Sequence, residues 1–342
     1  MAKRTNIPAI DLLRVFFILC ILAAHLREYL KTDIFSDIYF AQGFSPFLGK
    51  FGVTGFVFLS GLSLGMGYIG KDVSIRPFLY RRFIRLWPLY LLVVALHLFP
   101  VSYISVPNAL AHFFMVNVFF SEFSRNPGSI WFVAMIFQLY IVFPFLCRLV
   151  SENKWSMVIC LALLAYAAAL LGNHRGFYTL DTGLNYIPEF VFGIWLAARI
   201  REGKGFSAAV LTGVVCLGTI SGLTLPWVED NSYVFEAVSK ISILASSFFL
   251  FMLLSRKNMA NGSAWLKAAS SATLGVFLFH RLIWKTMLSI ADVNSFGERI
   301  FFLVIIGIPV IFTISWAVQK LYDYILQWTA NLSFSKSMRS EN

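Results

Sequence analysis

Charge is scarce in this sequence: Asp, Glu, Lys and Arg together make up 13% of its 342 residues, whereas 58% are hydrophobic. Soluble globular chains carry roughly 25% charged residues, so this composition argues against a soluble domain. A mean hydropathy of +0.75 and 36 Phe are typical of helices that face lipid. The net charge of +11 does not indicate a nucleic acid partner, because basic cytoplasmic loops produce the same excess in membrane proteins.

Cysteines are also few, and the short motifs of common soluble enzymes are absent. The four cysteines lie apart in apolar runs without C-x-x-C spacing, so neither a disulfide framework nor a metal site is indicated. The sequence contains no H-E-x-x-H or G-x-S-x-G pattern and so gives no support for the corresponding zinc or serine chemistry. Its polar stretches are too short for an independent core. We therefore expect one membrane-embedded domain over residues 1–328 and a polar cytoplasmic tail over residues 329–342.

Ten apolar runs are long enough to cross a membrane. They lie near residues 8–30, 47–69, 86–104, 130–150, 155–172, 184–200, 207–227, 237–254, 271–291 and 299–326. The first lacks a small-residue cleavage site and is predicted to be a retained helix, and a shorter run at 109–120 is predicted to be re-entrant or interfacial. Lys and Arg concentrate at the termini and after even-numbered runs, which places both termini in the cytoplasm. The predicted fold is all-α: a multi-pass protein of the cell (inner) membrane with about ten transmembrane helices.

Arg14 and His25 lie inside the first apolar run. Eleven residues separate them, so on a helix their side chains point within about 20° of one another, roughly 16 Å apart along the axis. Asp11, one turn before Arg14, is its natural counter-ion. Ionisable groups at membrane depth usually mark a functional pathway, although a structural Asp–Arg pair with His25 at the opposite interface is the plainer alternative. If the pathway is real, His25 is a candidate general base or a carrier of an acyl group.

Four arginines follow the second run within ten residues. They are Arg76, Arg81, Arg82 and Arg85. Because the guanidinium group binds phosphates in a bidentate manner, this predicted basic turn is a candidate binding site for a phosphorylated cytoplasmic ligand such as a nucleotide or coenzyme A. The alternative is anchoring to the anionic headgroups of membrane lipids.

Three glycines at the end of the second run and just after it, Gly65, Gly67 and Gly70, match the letters of the dinucleotide-binding fingerprint. That motif requires a strand before it, whereas here a transmembrane helix precedes it. We therefore expect these glycines to allow close helix packing and to end the helix.

His280 lies near the middle of the ninth run and is followed by Arg281 and Lys285. A single histidine in a helix is commonly a packing residue. A histidine beside two cations at membrane depth is a candidate functional residue.

Taken together, five stretches resemble the acyltransferase 3 family. These integral-membrane enzymes move acyl groups, usually acetyl, from cytoplasmic acyl-CoA to extracytoplasmic glycans. The stretches are Asp11–Arg14 with His25, Phe56–Gly61, Arg81–Tyr90, Ile187–Gly193 and Leu274–His280.

The resemblance implies acetyl-CoA as donor substrate rather than a permanently bound cofactor, and a glycan or lipid-linked oligosaccharide as acceptor. Of the family's fourth-helix segment, Trp131, Gln138 and Tyr140 match and are, with His280, candidate substrate-binding residues. Many relatives carry two adjacent acids where this sequence has Ile136 and Phe137, so no role for those acids carries over. The sequence does not include the soluble hydrolase-like domain that some relatives append, and we expect the membrane domain to complete the transfer alone.

The predicted mechanism assigns Arg81, Arg82 and Arg85 to the phosphates of acyl-CoA. His25, Arg14 and Asp11 are the predicted catalytic residues: Arg14 either keeps its helix face in register with Asp11 or neutralises the thioester oxyanion. A secondary transporter or a lipid or glycan flippase would also show about ten helices with buried charges, although no inverted repeat is detectable. The sequence does not determine the acceptor or the acyl length. It also leaves the oligomeric state open, and a homo-oligomer is one of the alternatives.

Overall fold

The computed structural model describes residues 7–30, 39–98, 105–124, 128, 130–176, 180–224, 233–256 and 263–340. Over these residues the protein is all-helical, without a β-strand. The helices are α1 (Pro8–Leu26), α2 (Tyr39–Tyr68), α3 (Ile75–Leu98), α4 (Val106–Phe113), α5 (Ser121–Ser124), α6 (Trp131–Ser151), α7 (Trp155–His174), α8 (Gly183–Arg201), α9 (Ala208–Thr224), α10 (Tyr233–Arg256), α11 (Ala264–Ile290), α12 (Phe296–Ile300) and α13 (Ile308–Ser340). Short 3₁₀ turns follow α1 at Arg27–Tyr29 and α4 at Asn117–Phe119, and a π-helical segment, Phe301–Gly307, joins α12 to α13.

Six helical segments are long and apolar enough to cross a membrane. They are Pro8–Tyr29, Phe47–Tyr68, Trp131–Ser151, Trp155–His174, Val234–Ser255 and Phe296–Thr329. Helices α3, α8 and α11 are of comparable length but carry charged residues within their sequences. The protein is therefore a multi-pass membrane protein. The number of about ten crossings and the cytoplasmic position of both termini stay predictions.

The start of α3 corrects one expectation. The sequence predicts a basic turn before a helix that begins at residue 86, but α3 begins at Ile75 and includes all four arginines. Arginine is a good helix former, and Pro77 lies in the first turn, where the amide N–H groups lack intrahelical partners in any case. The basic segment (residues 76–85) is therefore the first part of a helix.

Helix α2 packs against α1 on one side and α8 on the other. At the contact with α8, a Cβ atom on Gly61 would lie 2.0 Å from the carbonyl oxygen of Phe190, and one on Gly193 would lie 2.2 Å from that of Phe58. Glycine at both positions lets the two backbones touch. Two of the stretches that resemble the family thus pack directly on each other.

The expectation for Gly65, Gly67 and Gly70 holds for two of the three. A Cβ atom on Gly65 would lie 2.6 Å from that of Ala197, so Gly65 serves close packing. Gly70 follows the helix with a φ of +71°, the left-handed conformation common after helix C-termini. Among the described residues, nothing lies within 4 Å of the Cβ position of Gly67, so Gly67 has no packing role there.

Replacing Gly61 by Ala is expected to destabilise the protein, because the new methyl group meets backbone that cannot rotate away. Overpacking of this kind costs about 1–3 kcal/mol. Gly67→Ala, six residues along the same helix, is the matched control, since its methyl group enters open space. Thermal unfolding in detergent measures both, and equal melting temperatures would contradict the close α2–α8 contact.

Candidate active site

His25, at the end of α1, is hydrogen-bonded to His280 in the middle of α11. The two atoms, His25 Nδ1 and His280 Nε2, lie 2.8 Å apart, and the imidazole rings are stacked with an interplanar angle of 8°. His280 is fully buried, whereas His25 is half-buried. The structure therefore brings together two histidines that are 255 residues apart in the sequence.

The partners of His280 determine which nitrogen carries each proton. His280 Nδ1 lies 3.0 Å from the carbonyl oxygen of Val276 and 2.8 Å from that of Phe277, so this nitrogen is the donor. In a neutral imidazole the other nitrogen accepts, which makes His25 Nδ1 the donor of the bond between the rings. His25 then keeps the lone pair on Nε2, the form that a general base or a nucleophile needs.

His25 lines a cavity of about 370 Å³. The other lining residues are Ile21, Glu28, Gly49, Val53, Gly128, Trp131, Phe277 and Arg281. Trp131 is the first residue of α6, and its indole lies 6.1 Å from the ring of Tyr186 on α8. Three of the residues singled out in the sequence, His25, His280 and Trp131, therefore meet at one place.

The same cavity contains an ion pair that was not among the predicted site residues. Arg281 donates from both terminal nitrogens to Glu28, at 2.6 and 2.7 Å. The pair joins α11 to the 3₁₀ turn that follows α1, and the hydroxyl of Tyr29 donates to the carbonyl oxygen of Arg281. The feature of the sequence that pointed to this pair was the presence of two cations, Arg281 and Lys285, after His280.

Arg14 lies toward the opposite end of α1. Its guanidinium donates to Ser63 Oγ at 3.2 Å and lies 3.9 Å from Asp11, which accepts a hydrogen bond from Ser270 at 2.7 Å. Because α2 contacts the cavity through Gly49 and Val53 but meets Arg14 through Ser63, the two helices run antiparallel. Asp11 and Arg14 form the predicted pair, and they do not touch the cavity that contains His25.

The basic segment of α3 lies near the end of α2 that Arg14 contacts. Arg82 is half-buried, with its guanidinium 5.4 Å from the ring of Phe78 and 5.5 Å from that of Tyr140. Phe78 also packs edge-on against Tyr68, the last residue of α2. Arg81 and Arg85 are exposed. Among the described residues, none of these three arginines forms an ion pair.

The remaining fourth-helix candidates separate from one another. Tyr140 lies beside Arg82, and it follows Trp131 by nine residues along α6. The side-chain oxygen of Gln138 accepts a hydrogen bond from the amide of Gly183, the first residue of α8, at 2.8 Å. Ile136 is buried in the apolar core. Trp131, Gln138 and Tyr140 thus do not form one binding surface.

Sequence reasoning missed a buried ionic cluster centred on Lys240 of α10. Its ammonium lies 3.2 Å from Glu189 and 3.9 Å from Glu236, over the rings of Tyr186 and Tyr166 at 4.5 and 5.0 Å. Glu236 pairs in turn with Lys50 of α2 at 2.7 Å. The positive charges of Lys50 and Lys240 thus balance the negative charges of Glu189 and Glu236. The feature of the sequence that could have revealed this cluster was the presence of two ionisable residues, Glu189 and Lys240, inside apolar runs.

No group of three potential metal ligands occurs in the described part of the chain.

Comparisons with known proteins agree with the resemblance found in the sequence. No curated protein and no solved structure matches this chain. A family model described as an acyltransferase domain matches residues 7–320, nearly the whole length, and includes the His25 cavity and the basic segment. The chain belongs to the acyltransferase 3 family and is a membrane acyltransferase.

Proposed function

We propose that the protein transfers an acyl group, acetyl by family resemblance, from cytoplasmic acyl-CoA to a hydroxyl group of an extracytoplasmic or lipid-linked glycan. The observation that carries this proposal is the His25–His280 pair. It leaves a free lone pair on the imidazole of His25, which lines a cavity large enough for a sugar ring at the opposite end of α1 from Arg14.

The basic segment supports an acyl-CoA donor. Arg81, Arg82 and Arg85 provide three cations on neighbouring faces of one helix start, and no described carboxylate neutralises them. Arg82 is also held in place by two aromatic rings. Such a group suits the pyrophosphate and ribose phosphate of coenzyme A, whose flexible pantetheine arm would extend past Arg14 toward His25.

The His25 cavity supports a hydroxyl acceptor. Its lining includes Trp131, whose indole packs well on the apolar face of a sugar ring, and His25, whose imidazole is able to take a hydroxyl proton. Ligand cavities commonly combine an apolar surface with a few converging polar groups.

Sealed proteoliposomes sorted by orientation test this function. Acetyl-CoA should be consumed only when it is supplied to the face bearing Arg82, and the acetylated glycan should form only with acceptor on the other face. Transport or flipping requires no release of free CoA, so CoA release coupled to glycan acetylation separates the two classes of function. Transfer with both substrates confined to one face would contradict a reaction across the membrane.

Neutralising the basic segment should weaken donor binding and leave the chemical step largely intact. Replacing Arg82 and Arg85 by Gln removes charge-assisted hydrogen bonds worth roughly 1.5–3 kcal/mol each, so the KM for acetyl-CoA should rise strongly. Arg148→Gln is the matched control, since this side chain is exposed and pairs only locally with Glu152. Calorimetric titration with CoA measures the effect, and an unchanged Kd would favour lipid anchoring instead.

A further inference from the structure

Transfer to a hydroxyl group requires a cation or hydrogen-bond donor near His25, and Arg14 is too far away. When an alkoxide attacks a thioester, negative charge develops on the acyl oxygen, and enzymes stabilise it with donors placed at hydrogen-bond distance. Arg14 lies roughly 16 Å from His25 along the helix axis and is bonded to Ser63. One acyl group cannot contact both side chains. The second role considered for Arg14, neutralising the oxyanion, is therefore incompatible with attack at His25.

Arg281 is the cation that shares the cavity with His25. Its two terminal nitrogens are held by Glu28, which fixes the plane of the guanidinium group. Its Nε is buried and donates no hydrogen bond to the described residues. The side chain is 20% exposed, so its charge is only weakly screened by water. Arg281 also directly follows His280, which orients His25.

We propose that Arg281 is a further catalytic residue, whose guanidinium group stabilises the oxyanion formed when His25 activates the acceptor. This inference rests on the proposed function. The acceptor hydroxyl gives its proton to His25 Nε2 as its oxygen bonds to the acyl carbon, and the carbonyl electron pair moves onto the acyl oxygen. Arg281 binds that oxygen. The electron pair then returns, the carbon–sulfur bond breaks, and the CoA sulfur leaves with the proton from His25.

The plainer alternative is that Arg281 only ties α11 to the end of α1 through Glu28. In that case removing either partner should be equally harmful, and removing both charges together should restore activity, because no unpaired charge is left in the cavity. The two roles therefore differ in the behaviour of the double variant.

The experiment compares Arg281→Gln, Arg281→Lys, Glu28→Gln and the double variant Glu28→Gln/Arg281→Gln. We expect Arg281→Gln and the double variant to lose about 10²–10³-fold in kcat, as when an oxyanion-stabilising donor is removed, with little change in the KM for acetyl-CoA. Arg281→Lys keeps the charge and should recover part of the loss. Glu28→Gln keeps the cation and should lose less than the arginine variants. Lys285→Gln removes an exposed cation one turn further along α11 and should behave as wild type.

Two outcomes overturn the inference without touching the proposed function. One is a double variant whose kcat lies within about threefold of the wild-type value, because a loss in kcat of about 10²–10³-fold is expected. The other is a loss confined to KM. If Arg281→Gln does not fold, the charge-balanced double variant replaces it in the comparison. If the wild-type protein itself transfers no acyl group, the proposed function fails, and the inference fails with it.

Discussion

Replacing His25 by Gln lowers acyl transfer by about 10²–10⁴-fold, the usual contribution of general acid–base catalysis, while the protein stays folded. Glutamine preserves a polar side chain of similar reach but has no basic nitrogen. The site depends on that nitrogen, because Nδ1 is engaged with His280, Nε2 carries the remaining lone pair, and His25 lines the cavity. Turnover of acetyl-CoA with a glycan acceptor measures the loss, and thermal unfolding reports on folding.

The control is His174→Gln at the exposed end of α7, which should keep wild-type turnover. A His25→Gln protein that retains more than about a tenth of wild-type turnover would exclude both general-base and covalent roles, since either should cost at least the lower bound given above. His280→Phe removes the acceptor that sets the tautomer of His25 and should lower kcat without changing the Kd for CoA.

A second measurement separates the two roles of His25. As a general base it never carries the acyl group, so intact-protein mass spectrometry after incubation with acetyl-CoA alone should show no acetyl adduct. An adduct present in wild type and absent from His25→Gln would assign the covalent role instead.

The separation between Arg14 and His25 could be predicted from the sequence because it depends on one helix. Helix geometry alone converts eleven residues into a shared face and an axial distance. The Asp11–Arg14 pair followed from the spacing of one turn in the same way, and the structure contains it at 3.9 Å. Local rules of this kind need no knowledge of the neighbouring helices.

Contacts between helices that lie far apart in the sequence could not be predicted in this way. The sequence singled out both His25 and His280, but only the packing of α1 against α11 shows that they share a hydrogen bond. Trp131, Gln138 and Tyr140 illustrate the reverse. They lie close together in the sequence, yet positions 131 and 140 stand roughly 13 Å apart along α6, and the fold gives each a different neighbour.

The start of α3 was mispredicted because hydropathy and helix propensity disagree there. The apolar run begins only after the last of these arginines, near residue 86, whereas the helix already begins at Ile75, since Arg favours that conformation. The buried ionic cluster was missed for another reason: Lys50, Glu189 and Lys240 come from three helices, and each looks isolated within its own apolar run.

Replacing Lys240 by Met should destabilise the protein by about 3–5 kcal/mol, the typical result of removing one partner of a buried ion pair. Methionine has a similar volume, so the effect is electrostatic rather than a cavity. The Glu189 side chain is 2% exposed, and neither of its oxygens accepts a hydrogen bond from the described residues. Without the ammonium 3.2 Å away, that carboxylate is left as an unpaired buried charge.

The double variant Lys240→Met/Glu189→Gln identifies the cause. It removes both charges of the pair and leaves Glu236 paired with Lys50, so much of the lost stability should return, as when neutral residues replace other buried ion pairs. Lys204→Met is the matched control, because this lysine is 59% exposed beside Glu202 and exposed pairs contribute little. Thermal unfolding in detergent compares the four proteins. A double variant no more stable than Lys240→Met would show that the lost hydrogen bond from Lys240 to the carbonyl oxygen of Asn185, rather than an unpaired charge on Glu189, causes the destabilisation.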